Sequence, residues 1–130
     1  MTLQWDKTDF IKCLEVLPAY EENYGTAYGF RVEQERITLS LCVRPYESII
    51  DLALLLPQES EPLTQFSLSV AGKIKLVKGK YREWLELADC TVVSGRFYYA
   101  ENNVNAWNKS SWYRSQVQIA IKPHIQIKFL

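Results

Sequence analysis

Histidine and cysteine, which often carry catalysis and metal binding, are scarce in this chain of 130 residues. It contains one histidine and three cysteines, and no two cysteines form a CxxC pair. A zinc site with about four closely spaced ligands is therefore not expected, and no other metal or cofactor is indicated. An odd number of scattered cysteines is typical of free, buried thiols in a reducing compartment, which predicts a cytoplasmic location.

The motifs of common enzymes are also absent. The only histidine, His124, lies between polar residues and is expected on the exposed face of a strand, away from any nucleophile that it would activate. There is no GxSxG elbow, and the Gly-Lys pairs at residues 72–73 and 79–80 lack the other residues of a phosphate-binding loop. We therefore expect a protein without catalytic activity.

Long apolar runs are missing as well. The longest, such as residues 53–57, are far shorter than the roughly 20 residues that span a bilayer. The N-terminal residues show no basic segment followed by an apolar one, so no signal peptide is expected. Five glycines, five prolines and 48% hydrophobic residues exclude the collagen-like, low-complexity and disordered classes. We expect one domain over residues 1–130, with no membrane association.

The net charge is zero, but the two halves of the chain differ in sign. Residues 1–62 contain five basic and eleven acidic side chains, whereas residues 63–130 contain ten basic and four acidic ones. This asymmetry predicts a surface for a polyanion if the basic half stays separate in space. If the halves face each other within one domain, their charges cancel. The sequence leaves both alternatives open.

The first segment has the periodicity of a helix. Apolar residues recur at intervals of three and four, as on one helical face, at Phe10, Cys13, Leu14 and Leu17. Asp6 or Thr8 supplies the oxygen that caps the first backbone N–H groups. Pro18 ends the pattern because its ring lacks an N–H and clashes with the preceding turn. We therefore predict a helix over about residues 8–17.

From residue 28 onwards the pattern alternates with a period of two, which is typical of strands. Predicted strands cover residues 36–43, 49–56, 66–76, 84–93, 96–100 and 113–129. Gly72 marks a bulge or bend in the third of these, and Pro123 splits the last one in two. The predicted fold is α+β and mainly antiparallel β. One N-terminal helix packs on a curved sheet, a β-sandwich or a barrel of about six to eight strands within residues 28–130.

A basic hairpin is the first candidate site. Five cations fall within ten residues, beside Tyr81 and Trp84: Lys73, Lys75, Lys78, Lys80 and Arg82. Cations with neighbouring aromatic rings are typical of surfaces that bind single-stranded nucleic acid through phosphates and stacked bases. Alternatively, the lysines only prevent exposed strands from pairing with other chains.

An aromatic and asparagine-rich segment is the second candidate site. Its binding residues are predicted to be Arg96, Tyr98, Trp107 and Arg114. Flat aromatic rings together with asparagine and arginine are typical of surfaces that recognise proteins or sugars. The loop of about eleven residues around Trp107 is longer than a hairpin needs, which also favours a functional role. Alternatively, half of these rings belong to the core.

Carboxylates within the predicted strands are the third candidate. Asp51, Glu86 and Asp89 lie in or beside apolar segments, where burial would raise their pKa values and suit them to acid–base chemistry. Alternatively, Glu86 and Asp89 face water, and Asp51 faces a basic neighbour such as Arg44. An enzyme or small-molecule site built on these residues is therefore an alternative hypothesis.

Taken together, these patterns predict a small binding module without a cofactor or metal. Its partner is a macromolecule or a second copy of the chain, which would form a homodimer if the long terminal strand lies at a sheet edge. Single-stranded nucleic acid is the alternative partner, with the hairpin at residues 73–82 as its site.

Overall fold

A computed structural model describes residues 2–93 and 115–130. The predicted strand at residues 96–100 and the loop around Trp107 lie outside the described residues. One helix, α1, covers Lys7–Leu14, and a short 3₁₀ turn covers Asn23–Gly25. The strands are β1 (Tyr20–Glu21), β2 (Tyr28–Glu33), β3 (Thr38–Arg44), β4 (Ile49–Leu55), β5 (Thr64–Val70), β6 (Ile74–Lys78), β7 (Glu83–Val93), β8 (Ser115–Ala120) and β9 (Gln126–Phe129).

Helix α1 begins as predicted and ends early. The Asp6 side chain caps it by accepting a hydrogen bond of 2.8 Å from the backbone N–H of Thr8. Its end at residue 14 contradicts the predicted end at residue 17. Glu15 adopts a left-handed conformation (φ 59°) and donates its N–H to the carbonyl of Ile11, which closes the last turn. Leu17, predicted on the buried face, is 75% exposed.

The strands form one antiparallel sheet, which confirms the predicted fold class. Their order is β1-β2-β3-β4-β5-β7-β8-β9, and β6 pairs only with β7. Nine strands are described, one more than the upper number predicted. Two described strands have no counterpart among the predicted ones: β1, which has two residues, and β2, which lies in the region predicted to be rich in strands.

Among the described strands, the sheet curls around α1 and does not close. Phe10 in α1 contacts Phe30 in β2, with ring centroids 5.6 Å apart, and Cys13 one turn later contacts the Ile119 carbonyl in β8 at 3.8 Å. β2 and β8 are five strand positions apart, about 24 Å in a flat sheet. One helix can touch both only if the sheet is strongly curved. The core lies between α1 and this inner face.

A bend at Gly72 positions the hairpin made by β6 and β7. β5 and β6 pair with successive parts of β7, and the register shifts by one residue between the Val70–Cys90 and Ile74–Leu87 pairs. A Cβ atom at position 72 would lie 2.7 Å from the carbonyl oxygen of Ala88. The predicted bend is confirmed, because only glycine allows this close approach.

The C-terminal hairpin confirms the predicted split at Pro123. β8 and β9 pair from Val117–Phe129 to Ala120–Gln126, with Pro123 in the turn between them. His124 is exposed as expected, although it lies in this turn and not on a strand. With eight residues in α1, no helix within the described part of the chain is long and apolar enough to cross a membrane.

The outer face of the sheet carries a polar cluster that we call the outer-face cluster: Tyr20, Cys42, Arg44, Asp51 and Ser67. Asp51 accepts hydrogen bonds from Arg44 (3.1 Å) and Ser67 (2.6 Å), which confirms the predicted Arg44 contact. Burial by itself would lower the pKa of Arg44. The hydrogen bond with the Asp51 carboxylate and its charge have the larger combined effect, so the pKa is raised above its ordinary value. The pKa of Tyr20 is raised to about 12, mainly by a hydrogen bond with the Cys42 side chain and to a smaller extent by burial.

Candidate binding cleft

A cleft of about 550 Å³ lies where three segments meet. These are the last turn of α1, the turn between β6 and β7, and the residues that follow β8. Five basic side chains line this basic cleft: Lys12, Lys78, Lys80, Arg82 and Lys122. Within residues 2–93 and 115–130, two acidic side chains, Glu15 and Glu83, line it with them. The described lining therefore has an excess of three positive charges.

The alternation of β6 decides which lysines of the hairpin reach the cleft. Ile74 points into the core at 2% exposure, and Lys78, four residues later, shares its face and lines the cleft. Lys75 has the opposite parity and forms a 3.6 Å ion pair with Glu86 on the other face. Lys75 and Lys78, three residues apart on one strand, therefore lie on opposite faces of the sheet.

The floor of the cleft is apolar. Cys13 and Ile121 line it, with exposures of 5% and 7%. Burial, reinforced by the Glu83 charge, raises the pKa of Cys13 to about 11. The thiol therefore stays protonated at neutral pH and is a poor nucleophile.

Two of the cations are held in place by neighbours. Lys122 forms a 2.7 Å ion pair with Glu15, which raises its pKa. The Arg82 guanidinium lies 5.3 Å from the centre of the Trp84 ring and donates a 2.7 Å hydrogen bond to Gln126. These contacts fix two positive groups at the rim of the cleft.

The remaining cations have no ion-pair partner within the described ranges. Lys12 and Lys78 are exposed, and neither forms an ion pair with a carboxylate among residues 2–93 and 115–130. Lys80 lies 5.4 Å from the ring centre of Tyr81, which is itself 88% exposed. The cleft thus presents exposed ammonium groups and one flat aromatic ring to solvent.

The structure brings together three of the five predicted hairpin cations. Lys78, Lys80 and Arg82 line the cleft, whereas Lys73 lies at the bend before β6, where its backbone bridges to Gln4, and Lys75 faces away. Four other predicted binding residues lie outside the described residues: Arg96, Tyr98, Trp107 and Arg114.

Sequence reasoning missed the two cleft lysines that come from other parts of the chain. Lys12 belongs to the last turn of α1, and Lys122 follows β8. Neither has a local pattern that marks it, because the contact depends on how distant segments pack. By contrast, the separation of Lys75 from Lys78 follows directly from strand alternation.

The sheet carboxylates do not form one site. Asp51 in β4 pairs with Ser67 in β5, and Ser67 pairs with Val93 in β7. Glu86 lies seven residues before Val93 on the same strand. Seven residues of strand span about 23 Å, well beyond the separation of paired catalytic carboxylates. Asp89 is exposed at the bend in β7 with φ 53°. Within the described ranges, no three His, Cys, Asp or Glu side chains are grouped to hold a metal ion.

Comparisons with known proteins find a solved structure with a similar fold. No protein-family model matches the chain, and no curated protein matches its sequence. The fold is similar to a chain in the contact-dependent growth inhibition toxin–immunity protein complex from Klebsiella pneumoniae 342, with a TM-score of 0.72. The match covers 100% of this chain and 98% of that chain at 10% sequence identity. At this identity the likeness concerns the fold alone.

Proposed function

We propose that this chain acts by binding a protein partner, as the immunity half of a toxin–immunity pair. The observation that carries the proposal is the full-length likeness to a chain of such a complex, with a TM-score of 0.72. Because one fold hosts many functions, the likeness is an argument by analogy, and the chemistry of this chain must agree with it.

The arrangement of reactive groups favours the immunity half over the toxin half. Glu86 is paired with Lys75, and Asp51 with Arg44, in parts of the sheet that are far apart. The Cys13 thiol is held protonated by burial. A cleft rich in unneutralised charge is suited to recognising a partner by electrostatic complementarity.

Expression of the chain alone in bacteria tests this assignment. An immunity protein is expected to leave the growth rate unchanged after induction, because it acts only by binding its partner. Growth arrest on induction would instead identify the chain as the toxin half.

Reconstitution then tests the protein–protein interaction. The tagged chain is used to capture candidate partners, and each is purified and mixed with the chain at known concentrations. We expect one partner to form a complex of defined stoichiometry by size-exclusion chromatography with light scattering. That partner should arrest growth when expressed alone, and co-expression with this chain should restore growth. Failure of every purified candidate to form a complex contradicts the proposal.

Single-stranded nucleic acid binding is the second candidate function. It is favoured by the five cations of the basic cleft together with the exposed Tyr81 ring, since bases stack on such rings. Fluorescence anisotropy of a labelled oligonucleotide at low and moderate salt measures it. Neutralisation of several phosphates predicts a steep loss of affinity with salt, and no binding at low salt excludes this function.

Self-association through a sheet edge remains a prediction. β9 lies at the end of the strand order, and Phe129 and Leu130 at its end are 47% and 62% exposed. Strand pairing there would give a symmetric dimer. Light scattering of the purified chain decides it, because a monomer at high concentration is incompatible with this dimer.

A further inference from the structure

We infer that the basic cleft binds an acidic segment of the protein partner, one in which carboxylates lie close together in sequence. This inference rests on the proposed function and names the chemistry of the partner at this site. It is carried by the concentration of positive charge in a concave surface of about 550 Å³, which is ordinary for a binding pocket.

The first argument is the positive charge that the described residues leave uncompensated. Glu15 is already engaged with Lys122, so Glu83 alone among the described lining residues remains to offset four other cations around the cleft. Like charges gathered in a small space repel one another and reduce stability. Carboxylates of a partner would remove this repulsion and form charge-assisted hydrogen bonds with the Lys12 and Lys78 ammonium groups.

The second argument favours a peptide over a nucleic acid strand. A strand of nucleic acid needs a continuous row of cations that follows its backbone. Here the row is interrupted, because Lys75 is paired with Glu86 on the opposite face of β6 and Lys73 lies at the bend. A short acidic peptide avoids this difficulty because it needs only the cations of the cleft itself.

A third argument comes from the shape of the site. The cleft combines an apolar floor at Cys13 and Ile121 with cations above it. A peptide can place an aliphatic side chain against the floor while neighbouring carboxylates reach the lysines. Bare phosphate would satisfy only the cations.

The direct test uses a fluorescein-labelled peptide rich in aspartate and glutamate as the probe. Its matched control carries asparagine and glutamine at the same positions. We expect saturable binding of the acidic peptide by fluorescence anisotropy, with affinity falling as salt is added, and weak or no binding of the amide peptide. Equal binding of both peptides overturns the inference.

Two variants with the same change in charge locate the site. The variant with Lys12→Gln and Lys78→Gln removes two cleft ammonium groups, whereas the variant with Lys73→Gln and Lys75→Gln removes two from the same hairpin region outside the cleft. The first should weaken peptide binding at least about tenfold, and the second by less than about threefold. Equal weakening by both means that binding follows net charge and not the cleft. If the first double variant does not fold, Lys78→Gln alone provides the same comparison with Lys75→Gln.

Competition with a single-stranded oligonucleotide separates the two ligand classes. The oligonucleotide should displace the acidic peptide only weakly, and tighter binding of the oligonucleotide at the cleft overturns the inference. The reconstituted partner complex separates this inference from the proposed function. Unchanged affinity with the Lys12 and Lys78 variant refutes the role of the cleft while leaving protein binding intact. A failure of the unmodified chain to form any complex refutes the proposed function itself.

Discussion

Charges are paired in the outer-face cluster, whereas positive charges accumulate in the basic cleft. On the outer face, Arg44 and Asp51 are each about one-quarter exposed and neutralise one another, with Ser67 as a further donor. In the cleft, exposed cations such as Lys12 and Lys78 gather around an apolar floor and form no ion pair among the described residues. The first arrangement suits a buried region, where an unpaired charge is costly. The second suits a surface that meets a partner.

The same contrast bears on the asymmetry between the two halves of the chain. The basic cleft takes four of its cations from residues 63–130 and one, Lys12, from the acidic half. The Glu15–Lys122 pair joins the two halves, whereas the Arg44–Asp51 and Lys75–Glu86 pairs each lie within one half. The halves meet in one sheet, yet positive charge still accumulates where the helix ends.

Replacement of Asp51 by alanine should have the largest effect on stability. The substitution removes the carboxylate that pairs with the Arg44 guanidinium and accepts the hydrogen bond of the Ser67 hydroxyl. We expect a loss of about 2 kcal/mol in the free energy of unfolding, because the pair is only partly buried. Urea unfolding measures this loss, and peptide binding at the cleft should be unchanged. A double variant with Arg44→Met and Asp51→Leu should recover much of the stability, since it leaves no unpaired charge.

Replacement of Gly29 by alanine should have the next largest effect. The Tyr20 ring lies directly over Gly29, so a Cβ atom there would clash with it. Tyr20 is half exposed and can move aside, which limits the expected loss to about 1 kcal/mol. Thermal unfolding measures the loss. In a Tyr20→Ala background the same change should be neutral or stabilising, and a persistent loss there would show that the ring is not its cause.

Raising the pH should lower the free energy of unfolding first through Cys13 in the basic cleft and then through Tyr20 in the outer-face cluster. The folded state holds the Cys13 proton to a pKa of about 11 and the Tyr20 proton to about 12, above ordinary values of 9.0 and 10.0. Because the unfolded chain releases these protons first, stability should fall from pH 9 to 11 through Cys13 and from pH 10 to 12 through Tyr20. Stability curves of Cys13→Ala and Tyr20→Phe should each be flatter in the corresponding range.

Burial and the neighbouring Asp89 charge raise the pKa of Cys90 to about 12, so this thiol adds a background loss that both variants retain. If stability is constant from pH 8 to 12 in the unmodified chain, the raised pKa values are wrong.

Neutralisation of the cleft lysines should have the smallest effect on stability. Lys12→Gln and Lys78→Gln remove exposed cations that have no ion-pair partner among the described residues. We expect a change below about 0.5 kcal/mol, or a slight gain from reduced repulsion. Thermal unfolding of the same proteins used for peptide binding measures it. A large loss would mean that these lysines support the fold, which would remove the contrast with the outer-face cluster.

Features set by local chemistry could be predicted from the sequence. The alternating pattern predicts the antiparallel sheet, and the breaks at Gly72 and Pro123 follow from the absence of a side chain and of an N–H. The Arg44–Asp51 contact was also predictable, because both residues flank one short turn. Each of these inferences depends on residues that are near one another in the chain.

Features that depend on distant packing could not be predicted. The early end of α1 requires a left-handed conformation at Glu15, a residue that rarely adopts it, so no sequence signal marks it. Lys12 and Lys122 reach the cleft only because the sheet curls far enough to bring β8 against the helix. The strand order was not available from periodicity alone, and periodicity left a curved sheet, a β-sandwich and a barrel as alternatives.

Most of the cleft is built from segments that lie outside the paired register of the sheet. Turn residues 79–82, the end of α1 and the residues after β8 contribute most of its charged groups, and Lys78 and Glu83 form the last pair of β6 and β7 beside them. The ladder from β2 to β8 carries the core. Mutations at these turns can therefore accumulate without disturbing strand pairing. The chemistry of the cleft can change in this way while the architecture persists. Such a separation of surface and core is compatible with a similar fold at 10% sequence identity.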